Sequence, residues 1–318
     1  MDASCNAKAA VVAVVGPTAT GKTALGVALA QQFSGEVISA DSMQIYRGMD
    51  IATAKPTPEE LAAVPHHLIG FLPPEQSFSV ADYVDAARRV IGDIYSRGKL
   101  PVVVGGTGLY VTSLLEHVQF AQIPRDDAVR AALQAQAAQE GTAGLYAQLC
   151  QVDPDSAACI HPNNVPRLVR AMEVYRLTGK PLSAFKAESR LEPSPYRTLW
   201  LGLCYPDRQQ LYDRIDRRVD QMVQQGLVQE AAAAYAAGGM GTAAAAIGYK
   251  ELIPYLEGQG TLEDCIARIK QETRRYAKRQ MTWFRKNEQI QWISRTEFDE
   301  AEEILAICKK KIAKAAFL

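Results

Sequence analysis

The chain has 318 residues, 48% of them hydrophobic, more than one simple core needs, so one large domain with an insertion, or two domains, is expected. Lysine plus arginine (35) balance aspartate plus glutamate (35), which excludes overall basicity as a means of holding nucleic acid; such a site must come from local clustering. The six cysteines form no C-x-x-C pair, which speaks against a zinc site or disulfide framework and for a reducing compartment.

The first predicted element is a strand. Val11 to Val15 are β-branched or small and apolar, as in a strand buried on both faces. This run is too short to span a membrane and lacks the flanks of a signal peptide, so a soluble, cytoplasmic chain without membrane association is expected. Gly16-Pro17-Thr18-Ala19-Thr20-Gly21-Lys22-Thr23 follows and fits the G-x-x-x-x-G-K-[ST] phosphate loop, with a helical face of Leu25, Leu29 and Phe33 after it. In such a loop glycines turn backbone N–H groups inward and the helix N-terminus adds partial positive charge. Lys22 supplies a point charge and Thr23 a hydroxyl for Mg²⁺. The loop predicts phosphate binding but not the reaction.

Glu36 to Asp41 is a second short strand ending in a carboxylate. In open parallel sheets ligands sit at the C-terminal ends of strands, so Asp41 should face the phosphate loop; the alternative is a capping aspartate. Met49 to Pro74 is rich in proline and turn residues. His66 and His67 within it cannot both face one metal from a regular element, and His117 and His161 are distant, so packing or hydrogen-bonding roles are expected. Ser79 to Arg97 is an amphipathic helix with Ser79 as N-cap, ended at Gly98. Leu100 to Val104 is another buried strand, closing in Gly105-Gly106-Thr107-Gly108. A nucleotide-hydrolysing enzyme of this kind would usually end that strand in an aspartate for Mg²⁺. Glycines and a threonine there argue against hydrolysis by a metal-held water.

From about His117 the composition turns to alanine, glutamine and charge. Asp126 to Gln139, Thr142 to Gln151 and Asn164 to Leu177 read as helices, the last stopped by Gly179 and Pro181. The next strand-like run is Thr198 to Leu203. The fold class expected is α/β: a parallel-sheet core flanked by helices over 1–116 and 197–318, with an all-helical lobe inserted over 117–196. Asp207 to Val228 reads as one helix carrying Arg214, Arg217 and Arg218 beside Asp213, Asp216 and Asp220, which a salt-bridged surface would also explain. Lys270 to Lys286 holds seven basic residues against the single acid Glu272, with Tyr276, Trp283 and Phe284 interleaved. That mixture suits backbone-plus-stacking contact with RNA, or an ordinary basic surface helix. Lys309 to Lys311 reads as a solvated helix end.

Several motifs in this order resemble the tRNA isopentenyltransferase family in its short bacterial form, without the zinc finger of the long eukaryotic form. They are GPTATGKT (Gly16 to Thr23), ADSMQIYRGMDI (Ala40 to Ile51), TAKP (Thr53 to Pro56), PHHLI (Pro65 to Ile69), LPVVVGGTGLY (Leu100 to Tyr110), PRLVRAMEVY (Pro166 to Tyr175), AIGYKEL (Ala246 to Leu252) and AKRQMTWFR (Ala277 to Arg285). Ala52 stands where the family more often has glycine. The resemblance implies a P-loop NTPase-like core and transfer of a dimethylallyl group from its diphosphate to N6 of the adenosine just 3′ of the anticodon, in tRNAs reading codons that begin with U. It implies a diphosphate site at Gly16, Thr18, Ala19, Thr20, Gly21, Lys22 and Thr23, with Mg²⁺ at Thr23 and an arginine, Arg217 or Arg214, on the leaving group. Asp41 would accept the proton, and Thr107 would hold Asp41 or the base. The implied partner is a tRNA anticodon stem-loop bound by a monomer. Its contacts would be Asp41, Ser42, Met43, Gln44, Thr107, Arg130, Pro166, Arg167, Leu168, Val169, Arg170, Gly248, Tyr249, Lys278, Arg279, Gln280, Trp283 and Arg285. Three other functions fit parts of the pattern: an ATP-dependent small-molecule kinase, an isopentenyltransferase acting on free adenine nucleotides, and a non-enzymatic RNA-binding protein.

Overall fold

The computed structural model describes residues 8–121, 123, 126–238, 241–296 and 301–315. The first apolar run forms β1 (Ala9–Val15), and all five residues from Val11 to Val15 are removed from solvent. The chain continues through α1 (Lys22–Gln32), β2 (Gly35–Ser39), α2 (Pro58–Ala63), β3 (His66–His67), α3 (Val80–Ser96), β4 (Leu100–Gly105) and α4 (Gly108–Leu115). Five helices follow: α5 (Asp127–Gln139), α6 (Thr142–Val152), α7 (Pro154–Cys159), α8 (Val165–Thr178) and α9 (Leu182–Glu188). The remainder is β5 (Tyr196–Cys204), α10 (Arg208–Gln224), α11 (Leu227–Ala237), α12 (Ile253–Leu256), α13 (Leu262–Phe284), β6 (Gln291–Ser294) and α14 (Ala301–Lys314). Two compact units result, Met1–Leu115 with Pro195–Leu318, and Glu116–Ser194.

In the first unit six parallel strands lie in the order β3-β2-β4-β1-β5-β6. Alternation along β1 sends Val12 and Val14 to one face, where they pack with Leu25 and Leu29 of α1 and with Ile304, Cys308 and Ile312 of α14. On β2 and β4 the amphipathic α3 packs, with Tyr83 stacked on Tyr110 of α4 at 4.2 Å. Ser79 and Asp82 close a reciprocal capping box at the start of α3. Because β2, β4 and β1 are neighbours, the three loops leaving their C-terminal ends stand side by side. These are the Asp41 loop, the Gly105–Gly108 loop and the phosphate loop. Gly105 permits this crowding: a Cβ there would collide with the backbone of Ala40. A second core, built from Ile45, Tyr46 and Met49 with Val219, Leu227, Tyr249 and Ile269, binds the segment after Asp41 to α10, α11 and α13.

Several local expectations are corrected. The predicted helix 207–228 is two helices, because Gly226 takes φ 104°, a left-handed conformation that ends α10 and starts α11. The predicted irregular stretch 49–74 contains α2 and the two-residue β3, which pairs with β2 through Val37 and Ile38. The histidines serve structure there. His67 Nε2 lies 2.7 Å from Glu36, and His66 Nδ1 lies 2.9 Å from the Val64 carbonyl. Glu36 is buried, and bonds from Arg97 first, then Lys99 and His67, hold its carboxyl well below the usual range despite desolvation.

The second unit folds around its own core. Leu133, Leu145, Leu149 and Leu168 are fully buried there, each contributing about 1.5–3 kcal/mol by removal from water. Glu173 is buried among them as an ion, accepting bonds from Arg130 at 2.9 Å and Arg170 at 2.8 Å. Helices α7 and α9 were not expected from the sequence. Asp153 joins them, accepting from the backbone N–H groups of Ser156 and Ser183 at 3.0 Å each.

Candidate active site

The loop after β1 wraps around its own lysine. Lys22 Nζ donates to the Pro17 carbonyl at 2.7 Å, and the buried Thr20 hydroxyl donates to the same oxygen at 2.9 Å. The first intrahelical bond of α1 runs from Leu25 N to Gly21 O, so the earlier N–H groups of the first turn have no helical acceptor and form an anion-binding end. Burial first, then the charge of Arg218, pushes the Lys22 amine down to about 7; Asp41 opposes this. A bound anion would restore the lysine to its ordinary range.

Arg218, which the sequence carries beside Arg214 and Arg217 without fixing which of the three meets the diphosphate, approaches the Thr18 hydroxyl to 3.5 Å, and its own pKa is lowered by burial. Arg214 donates through Nε to the Ala19 carbonyl at 3.3 Å. Arg217 does not reach the loop. It is exposed and its Nε donates to the Asp213 carbonyl within α10. The choice was legible from the helix: Leu211, Ile215 and Val219 are the buried stripe, and Arg214 and Arg218 each follow a stripe residue by three positions, whereas Arg217 lies on the opposite side.

Asp41 begins a tight turn rather than a helix. Its Oδ1 accepts from the backbone N–H groups of Met43 at 2.9 Å and Gln44 at 3.4 Å, while Oδ2 accepts nothing from the described residues. Burial raises the Asp41 pKa above the ordinary carboxylate value against these two amides, Lys22 and Arg218. The Thr107 hydroxyl accepts from Ser42 N at 3.0 Å and faces the Ser42 hydroxyl at 3.3 Å, and Thr107 N donates to the Ala40 carbonyl at 3.2 Å. Thr107 therefore holds the Asp41 turn, as one of its two expected roles required.

Gln44 is fully employed inside the protein: its carbonyl accepts from the Ser39 hydroxyl at 3.0 Å and its Nε2 donates to the carbonyls of Thr53 and Ala54. It shapes the loop instead of offering its amide to a ligand. Tyr249 is likewise buried and donates to Glu230 at 2.8 Å. Glu230 also accepts the N–H groups of Asp50, Ile51 and Ala52, fixing that wall. Gly248 donates to Glu251 at 2.8 Å.

One cavity of about 810 Å³ connects these parts. Of the expected site residues, Thr18, Ala19, Gly21, Lys22, Thr23, Asp41, Ser42, Met43, Gln44, Gly248, Arg279 and Gln280 line it, together with Arg218 and Tyr276. Gly16, Thr20, Thr107, Arg214, Arg217, Tyr249, Lys278, Trp283 and Arg285 lie off its wall. Ile51, Ala52, Ile215, Val219, Met222 and Leu227 give it an apolar side. Tyr276 was read with Trp283 and Phe284 as a stacking aromatic of the basic helix; its phenol sits beside Thr107 and Gln280, its pKa raised by burial and then by Asp41.

The basic surface of α13 is smaller than the sequence predicts. Lys270 pairs with Asp220 at 2.6 Å, Arg274 with Asp216 at 2.7 Å, and Arg275 with Glu272 at 2.6 Å. Lys278, Arg279, Arg285 and Lys286 remain exposed. Trp283 is partly exposed, packs on Gly108 and donates to Thr112 at 3.1 Å. In the second unit Pro166 and Arg167 are exposed, whereas Leu168 and Val169 belong to its core and offer no side chain to a ligand. Arg130 and Arg170 are the partners of Glu173.

Comparison with known proteins is consistent along the chain. An IPP transferase family model matches residues 44–287 and an isopentenyl transferase model residues 9–69. The tRNA dimethylallyltransferase of Halalkalibacterium halodurans is 48% identical over 301 residues, covering 94% of this chain and 96% of the relative. That of Caldanaerobacter subterraneus is 46% identical over 297 residues, covering 92% and 94%. Among solved structures, the tRNA isopentenylpyrophosphate transferase of Bacillus halodurans superposes with a TM-score of 0.72 at 46% identity, covering 97% of this chain and 98% of that one. A eukaryotic dimethylallyltransferase acting on tRNA gives 0.79 at 30% identity, covering 96% and 80%.

Proposed function

The chain belongs to the IPP transferase family, and from that premise we propose that it transfers the dimethylallyl group of dimethylallyl diphosphate to N6 of the adenosine just 3′ of the anticodon, in tRNAs reading codons that begin with U. The observation that carries this is one cavity holding both a phosphate loop and the half-buried Asp41 carboxylate, whose Oδ2 accepts nothing from the described residues, while β4 ends in glycine. The N6 lone pair forms the new bond to C1 of the donor, the C1–oxygen bond breaks, and diphosphate leaves with the bonding electrons. The N6 proton passes to Asp41, whose raised pKa suits a base. Loop N–H groups, Lys22 and Arg218, with Arg214 against the loop, stabilise the charge growing on diphosphate. The donor set fits Mg²⁺, which takes few protein ligands beside substrate phosphates: Thr23 would hold it, and it would neutralise diphosphate charge. The apolar side of the cavity suits the five-carbon tail.

Lys278 and Arg279 on α13, Arg285 at its C-cap and Arg167 in the second unit are exposed cations for an anticodon stem-loop, whose target base must leave its stack to reach the cavity. A monomer working in the cytoplasm is consistent with this; among the described residues no helix is long and apolar enough to cross a membrane. The test is mass spectrometry of tRNA incubated with the protein, Mg²⁺ and dimethylallyl diphosphate. One C5H8 unit on a single adenosine is expected, with Asp41→Asn slower by about 10²–10⁴-fold. Stoichiometric ATP consumption would replace this function with a kinase.

A further inference from the structure

Gln280 belongs to the stretch Ala277 to Arg285, from which an RNA contact was expected, yet its side chain is buried. Its Oε1 accepts from the backbone N–H of Thr18 at 2.8 Å, in the phosphate loop after β1. Its Nε2 donates to the carbonyl of Gly106 at 2.9 Å, in the loop after β4. Since an N–H can only donate and a carbonyl only accept, the amide has one permitted orientation. Gly106 is shaped for it: a Cβ at that position would collide with the Gln280 amide. The next residue, Thr107, carries the connection onward through Ser42 N to the Asp41 turn.

We propose that Gln280 is a positioning residue that sets the separation between the phosphate loop and the Asp41 turn. One buried amide ties the loop of the leaving group to the loop that holds the base. Both peptide groups would be costly to bury unpaired, so the bridge is a rigid one. The reacting atoms must be held within a fraction of an ångström, and a displacement of about 1 Å costs on the order of 10²-fold in rate. What is positioned rests on the proposed prenyl transfer, whereas the bridge itself concerns only the loops.

The test uses the full chain with Gln280→Met, which keeps size and removes both bonds, and Gly106→Ala, which displaces the amide while leaving every hydrogen-bonding group in place. Three quantities are read for variants that melt like wild type: pyrophosphate affinity by calorimetry, anticodon stem-loop affinity, and the single-turnover rate at saturating stem-loop and dimethylallyl diphosphate. Expected are pyrophosphate binding weaker by roughly 3–10-fold, stem-loop affinity within twofold of wild type, and a rate lower by about 10²-fold. Pyrophosphate affinity unchanged in both variants overturns the proposal. So does loss of stem-loop affinity at an unchanged rate, which returns Gln280 to RNA contact. If neither variant folds, amide exchange in the wild-type chain decides: Thr18 N–H protected supports the bridge, and Thr18 exchanging as fast as Gly21 and Lys22 overturns it. A wild-type chain that fails to alkylate RNA would remove the transferase function, while the pyrophosphate comparison would still judge the bridge.

Discussion

Lys22 is a cation kept where a cation is costly, and that cost gives it a pH signature. With burial and Arg218 holding it near 7, the unliganded amine loses its proton across neutral pH, and a bound diphosphate raises its pKa again. Binding above about pH 7 must therefore take up a proton, and affinity falls as pH rises, whereas below that value the lysine is already charged. Calorimetry of pyrophosphate binding at pH 8 in buffers of different ionisation enthalpy should detect this uptake, and Lys22→Ala should lose it; equal uptake in both would assign the proton to the ligand alone. Arg218 offers a sharper contrast. Arg218→Ala should slow transfer by about 10²–10³-fold, as for loss of one donor to a developing anion, and Arg217→Ala should change it less than threefold. Equal effects of the two substitutions on single-turnover rates would undo the placement of Arg218. At this scale the motif residues Lys22, Thr23, Asp41 and Thr107 were legible because each follows a recognisable strand. Gln44, Tyr249 and Gln280 were expected at the RNA, and the structure adds a second employment for each. Their spacing marks them as special, but only the folded chain reveals that their polar atoms are consumed internally.

Among elements, β1, α3 and β4 were legible because a long apolar run or a 3.6-residue stripe with a cap carries its own periodicity. The short strand β3 was not, since two residues have no period and pair only once β2 is in place. Helix α2 has a capping box between Thr57 and Glu60, but at six residues the box sits inside a proline-rich stretch and gave no stripe to detect. The basic run of α13 was legible as charge and illegible as availability, because its acidic partners Asp216 and Asp220 arrive from α10. This division makes a prediction about salt. Replacing Lys278 and Arg279 by alanine should lower the slope of log affinity for the stem-loop against log salt by about 1.4–1.8, at roughly 0.7–0.9 for each phosphate no longer neutralised. Lys270→Ala should leave that slope alone, since its charge is already answered by Asp220. Titrations of a labelled stem-loop from low to moderate salt would separate the two, and a slope reduced equally by Lys270→Ala would mean that the pairing does not persist in solution.

At the scale of the whole molecule, each of the two units has a core of its own. The first unit contains the phosphate loop, the Asp41 turn and the cavity, the parts that the proposed transfer asks of its diphosphate and adenine sites. A free adenine nucleotide would need nothing more. The second unit maintains a separate core and a charged cluster of its own around Glu173. Such an investment makes chemical sense if binding energy far from the reacting amine is used to unstack and orient the target base, which raises the rate and not affinity alone. An intact anticodon stem-loop should therefore be modified with both a higher saturating rate and a lower KM than AMP. The advantage should shrink at high salt, as phosphate contacts are screened, while the AMP reaction changes little. In the Lys278→Ala, Arg279→Ala double variant the stem-loop should lose part of its advantage. Single-turnover rates on both substrates across a salt series, for wild type and the double variant, decide the matter. Equal efficiency on AMP and stem-loop would make the chain a free-nucleotide transferase, and a double variant indistinguishable from wild type on the stem-loop would remove α13 from RNA recognition.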